Sequence, residues 1–208
     1  ERQPFPGPGL SVRVVGEIRI DKLKALKKAT TITEENLAKH EPDQYFAAIL
    51  DNIESPQHPR YERIQETAVQ FLGLASKQVL AKIFQDKATG VKAGERRYGD
   101  IAAIKAQTTN GRVYQPPIKK LVALQAKIIA ENPSLTRILY AVKEKSLKQP
   151  YVVALRAVQT RDFLTARVAE IPWATLRKTA QKILKACPNV SSVYYDVTPK
   201  PPATIEME

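Results

Sequence analysis

The chain has 208 residues, of which 33 are Lys or Arg and 21 are Asp or Glu, giving a net charge of +12 at pH 7. At 43% hydrophobic and 26% charged it can build a core and is not composed like a disordered chain. No apolar run approaches the roughly 18 residues of a membrane helix, one cysteine excludes an internal disulfide, and two histidines leave little for metal or acid–base chemistry.

The opening residues, ERQPFPGPG, carry neither an initiating Met nor a signal-peptide core and read as a boundary inside a longer protein. Within Glu1–Leu10, Pro4, Pro6 and Pro8 alternate with Phe5, Gly7 and Gly9. Proline fixes φ and glycine lets a ligand approach the backbone closely, so the segment is either a stiff linker or a ligand-facing loop. Ser11–Ile20 has Val12, Val14, Ile18 and Ile20 on one parity and reads as a strand. Asp21–Ala29 reads as a helix with Asp21 as N-cap and its lysines toward solvent. Short helices are expected over Thr33–His40 and Asp43–Ile53, separated by Pro42. Residues 54–60, with two prolines, form a linker, and amphipathic helices follow over Tyr61–Leu72 and Ser76–Lys87. The first 90 residues are thus expected to be mostly helical after one strand.

The second half holds an internal repeat. Asp100–Thr109 aligns with Tyr151–Thr160, and Pro117–Val142 aligns without a gap with Pro172–Val197. Matched pairs include Pro117/Pro172, Lys127/Lys182, Ile128/Ile183, Pro133/Pro188, Tyr140/Tyr195 and Val142/Val197. Each copy reads strand, loop, helix, turn, strand, with one proline at the helix start and one just past its end. A helix with one apolar stripe must lie on a sheet. The expected fold class is therefore α+β: a helical N-terminal half plus two strand–helix–strand repeats forming small sheets covered by helices. The expected division is 1–99, then a first repeat over 100–148, then a second repeat with its tail over 149–208.

Eight glycines, none adjacent to another, write neither G-x-x-x-x-G-K-S/T nor G-x-G-x-x-G, so the chain brings no triphosphate loop. The excess positive charge points to anionic partners, either phosphates on a small molecule or a nucleic acid. Thr89–Asp100, with Arg96 and Arg97 among three glycines, is an anion-holding turn or a solvated charged hairpin. In the tail, Lys200 and Glu206 flank two prolines and stand at a fixed separation, fit for a phosphate and for a base or ribose hydroxyl. His40 and His58 read as surface residues, Cys187 as a packed thiol, and Tyr140 and Tyr195 as core or interface tyrosines.

Three of these segments together resemble one family. PFPGPGLSVRVVGE (Pro4–Glu17), YVVALRAVQTRDFLT (Tyr151–Thr165) and DVTPKPPATIEME (Asp196–Glu208) are similar, in that order, to motifs of the C-terminal domain of GMP synthase. Residues 30–90 match only as helical filler. The resemblance implies an α+β dimerisation domain that completes an XMP pocket in a ligase of purine biosynthesis. In that reaction ATP adenylates XMP and ammonia from glutamine displaces AMP to give GMP. It also implies upstream ATP-pyrophosphatase and glutamine amidotransferase domains as partners, ATP and Mg bound there, and a cytoplasmic location. No cofactor, metal or catalytic residue is expected in this chain, which should be inactive by itself.

Carried over residue by residue, the resemblance places Pro6, Gly7, Glu95, Arg97, Gln149, Lys200, Ile205 and Glu206 at XMP. The family's G-D-x-R loop corresponds to Gly94-Glu95-Arg96-Arg97, with Glu for Asp and Arg96 as the alternative to Arg97. Met207 stands where the family usually has Trp. The duplication resembles the larger members, so the two copies pair either within one chain or across a homodimer. The competing class is a basic nucleic-acid-binding α+β module, against which no RNP1-like string occurs.

Overall fold

In the computed structural model, which describes residues 9–55 and 60–208, the gap-free repeat becomes two superposable pieces of chain. Helix α3 (Ile118–Glu131) and helix α4 (Trp173–Ala186) each begin directly after a proline, Pro117 or Pro172, whose ψ near 140° turns the chain into the first turn. Each ends two residues before the next proline, Pro133 or Pro188, because the intervening residue, Asn132 or Cys187, is pushed out of the helical region by the proline that follows it. α3 crosses between strands β3 (Glu95–Ala106) and β4 (Leu135–Glu144), and α4 between β5 (Tyr151–Gln159) and β7 (Val190–Asp196). Both strand pairs are parallel, which is what a crossover helix requires.

The two copies meet at an antiparallel β4–β7 pair in which Tyr140 lies opposite Tyr195. Equivalent residues of the repeat facing each other define a local two-fold axis between them. Outward from it the order is the same on both sides. β2 (Val79–Lys92) flanks β3, β1 (Gln44–Asp51) flanks β5, and all lie in one sheet ordered β1-β5-β7-β4-β3-β2, with the short β6 (Arg167–Val168) on β5. Helix α2 (Tyr61–Leu72) packs on β2 and α3, whereas α1 (Ile20–Leu37) packs on β1 and α4. Each copy is therefore helix–strand–strand–helix–strand. One copy is contiguous from α2 to β4, and it is nested inside the other, which is split between α1–β1 and β5–β7.

The α+β class holds, with about 35% helix and 35% strand. Several local expectations are corrected. Residues 43–53 and 76–87 contribute strands β1 and β2 instead of helices, so the first 90 residues are not mostly helical, and one seven-stranded sheet replaces separate small ones. β1 is buried on both faces, with Phe46, Ala47, Ala48, Ile49 and Leu50 all at 0% exposure, and a run apolar on both parities has no period by which strand and helix differ. In β2 a register shift between Ile83 and Lys87 breaks the alternation. Ser11–Ile20 is not a strand. Gly9–Arg13 forms a 3₁₀ turn, Val14 makes one bridge to Ile49, and Gly16 then takes a positive φ of 75°. α1 runs unbroken where two helices were expected, Thr33 returning its hydroxyl to the Ala29 carbonyl at 2.7 Å. Not all of its lysines face solvent. Lys22 is fully buried, 2.9 Å from Asp51 and hydrogen-bonded to the Val15 carbonyl.

α2, the prolines of the repeat and the buried states of Cys187, Tyr140 and Tyr195 agree with expectation. His40 meets the Thr175 hydroxyl at 2.9 Å on the half-exposed rim of α4, while His58 lies outside the described residues.

One face of the sheet carries Ile49, Ile104, Ile138, Val153 and Val193 under the four helices. Among the described residues, no α-helix packs on the other face. The chain leaving β1 pairs with the opposite edge strand, Ser55 donating to Ile83 at 2.8 Å and Gln85 to Ile53 at 3.0 Å, so the two edges join and this face turns inward. Ala48, Ala103, Ala141 and Ala154 line it, leaving space that residues 198–208 fill with Ile205 and Met207.

Candidate functional site

The tail has no helix or strand of its own, and its path is set by neighbours. Lys200 exchanges backbone hydrogen bonds with Ala166 at 3.0 and 2.9 Å. The peptide bonds preceding Pro201 and Pro202 are both cis. Val91 donates to the Pro202 carbonyl at 2.7 Å and Thr89 to Met207 at 2.9 Å, which draws the tail along β2. Gly90 makes this possible, since a Cβ there would stand 2.6 Å from Thr136 Cγ2 and 2.7 Å from the Pro202 oxygen. Beyond it, Glu208 donates from its amide to Val12 at 3.1 Å and accepts from the Tyr98 hydroxyl at 2.9 Å.

Beneath the tail, on the inward face, lie Arg137, Arg156 and Asp196, all with side chains at 0% exposure. Asp196 Oδ2 accepts from Arg137 at 2.9 Å and forms an ion pair with Arg156 at the same distance. Burial, with the positive charge of Arg156 beside it, lowers the Arg137 pKa to about 10. The sequence held a signal for this cluster, because an arginine inside YVVALRAV or TRILYAV sits in an otherwise largely apolar stretch.

Between the tail, the β2–β3 hairpin and the loop after β5 lies an open cavity of about 240 Å³. Arg96, Lys200, Ile205 and Glu206 line it together with Gln44, Phe163, Thr204 and Glu208. The cationic side is Arg96 and Lys200. Lys200 Nζ rests on the Phe163 carbonyl. Across from them, burial pushes the Glu206 carboxyl above its usual range, partly offset by the positive charges of Arg13 and Arg96. The arrangement offers two cations to an anion, with the carboxylates of Glu206 and Glu208 as acceptors, the latter already engaged by the Tyr98 hydroxyl.

Four of the residues singled out in the sequence thus meet, counting Arg96, which stood as the alternative to Arg97. Arg97 does not line this cavity. Neighbours along a strand point to opposite faces, so Arg97 turns to the Pro133 carbonyl and a separate hollow beside Thr136 and Pro202. Glu95 lies exposed opposite Lys92 at the hairpin end. Gln149 precedes β5 at the opposite end of the sheet, its carbonyl accepting from Asn52 at 2.9 Å. Pro6 and Gly7 lie outside the described residues. Gln44, Phe163, Thr204 and Glu208 are additions that only the folded arrangement reveals.

The two copies differ at the position of Lys200. Lys145 occupies in the first copy the place of Lys200 in the second, but its ammonium donates to the Cys187 and Pro188 carbonyls at 3.0 and 3.2 Å and so caps α4.

Fold and site define a duplicated α+β module with one cavity fit for an anionic ligand. Residues 147–207 match the family model described as GMP synthase C terminal domain. Over its whole length the chain is 37% identical to a glutamine-hydrolyzing GMP synthase subunit of Sulfurisphaera tokodaii and to that of Saccharolobus solfataricus, and 31% identical to that of Halorubrum lacusprofundi. It spans about half the length of the first two, 49%, and 40% of the third. The residues that match the family model hold β5–β7 and the tail, so this part of the chain is similar to a GMP synthase C-terminal domain. The nucleic-acid-binding alternative is not supported. The relatives are synthase subunits, and Tyr140, Tyr151, Tyr194 and Tyr195 are all buried at 2% exposure or less, where no base can stack on them.

Proposed function

We propose that this chain forms the XMP-binding and dimerisation region of a GMP synthase, the ligase that adenylates XMP with ATP and replaces AMP by ammonia from glutamine. The observation that carries the reading is the convergence of Arg96, Lys200 and Glu206 on one cavity. Arg96 and Lys200 hold the nucleotide phosphate, Ile205 packs against the ring system, and Glu206 accepts from a polar edge of the purine or ribose. Anchoring the phosphate fixes where the purine lies relative to an adenylating site elsewhere in the enzyme. ATP with Mg, and the glutamine chemistry, belong to pyrophosphatase and amidotransferase domains beyond this chain. No helix among the described residues is long and apolar enough to cross a membrane, and we assign the enzyme to the cytoplasm. Steady-state kinetics of the synthase that contains this chain test the reading. Lys200→Ala removes a charge-assisted hydrogen bond worth about 1.5–3 kcal/mol, so KM for XMP rises about 10- to 150-fold while KM for ATP stays unchanged. An unaltered KM for XMP rejects the assignment.

A further inference from the structure

We propose that Arg137, Arg156 and Asp196 are positioning residues for this cavity, acting on the nucleotide only through the Thr198–Glu206 segment; the inference rests on the XMP reading. None of the three lines the cavity. Arg156 instead donates to three tail carbonyls, Thr198 and Ile205 at 2.7 Å and Thr204 at 2.8 Å. Arg137 reaches the Thr204 hydroxyl at 2.7 Å and the Glu206 carbonyl. Asp196 joins the two guanidiniums and also accepts from the Thr198 amide at 3.0 Å through its other oxygen. The bonds fall on both sides of Lys200 and on either side of Ile205, so the directions of the Lys200 and Glu206 side chains are set from beneath the sheet.

Chemistry supports this division of labour. Filling the inward face for packing alone needs no charge, and burying two guanidiniums with one carboxylate is costly unless nearly every donor is used. A guanidinium presents a rigid planar fork that spans three carbonyls, which an ammonium cannot do. The segment it holds consists largely of proline and small residues with no ladder of its own.

A double-mutant cycle separates positioning from general stability. In the full-length synthase carrying this chain, Arg156→Lys is expected to raise the XMP Kd about tenfold or more with the fold retained by circular dichroism. In a Lys200→Ala background the same change adds a clearly smaller factor, because one of the two groups it acts through, Lys200 and Glu206, is gone. Native-state hydrogen exchange supplies the second readout, with Val91 and Lys200 amides losing protection in Arg156→Lys and the Ala141 and Val153 amides keeping it. Arg137→Lys, which keeps its pairing with Asp196 within reach, carries the same predictions should Arg156→Lys fail to fold. Full multiplicative effects in the cycle, or unchanged protection at Val91 and Lys200, overturn the inference. An inert Lys200→Ala overturns the XMP reading instead, and the exchange data alone then decide whether the arginines hold the tail.

Discussion

Asp196 sits between two guanidiniums in the interior, so its replacement by asparagine leaves two buried cations facing each other without a counter-charge. Removing one partner of a buried network of this kind costs about 3–5 kcal/mol, and urea denaturation of Asp196→Asn should read a loss of that size. Glu206 behaves in the opposite sense. Its pKa in the fold is raised, chiefly by burial. Its contribution to stability is therefore fully present below the usual glutamate pKa and is lost as pH rises through the raised value. Glu206→Gln should flatten this dependence, making the protein more stable at pH 7 than the parent while weakening XMP binding. Equal denaturation midpoints for parent and variant at pH 7 would contradict the point. A carboxylate kept at a stability cost is consistent with a role in recognition.

At the level of elements, the repeat was legible because proline punctuates it. Pro117, Pro133, Pro172 and Pro188 fix both ends of α3 and α4 with little help from propensity. β1 and β2 were not legible. Strands covered on both sides, or broken by a register shift, lose the alternation that identifies a strand. The site was legible in part. The tail and the arginine-bearing turn stood out in sequence, but the choice between Arg96 and Arg97 depends on which face of β3 each occupies. That follows only once the hairpin register is known, Gly90 opposite Arg97 and Val91 opposite Arg96. Gln44 and Phe163 come from segments remote from the tail and carry no local mark. The contact between β2 and the tail also predicts that Gly90→Ala, which places a methyl 2.6 Å from Thr136 Cγ2, destabilises the chain by about 1–3 kcal/mol and raises exchange at Val91.

For the molecule as a whole, the decisive feature is that the sheet's outermost strands find partners within the chain. Tyr140 pairs with Tyr195 at the centre, and the Ile53–Ser55 segment bonds to β2 at the seam. Pairing that two protomers could provide is thus supplied internally, and few backbone groups remain for adding another strand. We therefore expect a monomer in sedimentation of this chain, its dimerisation-type pairing being made between the two copies of the repeat. A tight homodimer would show that association uses some other surface. The two copies have also diverged in charge. Lys200 opens onto a cavity, whereas Lys145 is committed to a helix end, so duplication has preserved architecture on both sides while this side chain has taken different partners.

The nesting of one copy within the other has a consequence during synthesis. The copy from α2 to β4 can assemble from contiguous chain as it leaves the ribosome, because its contacts lie close along the sequence. The surrounding copy cannot, since Asp51 must wait for Tyr151 and Gln44 for Val158. Until then α1 and β1 are exported with their apolar faces bare, which makes this segment the natural client of a chaperone.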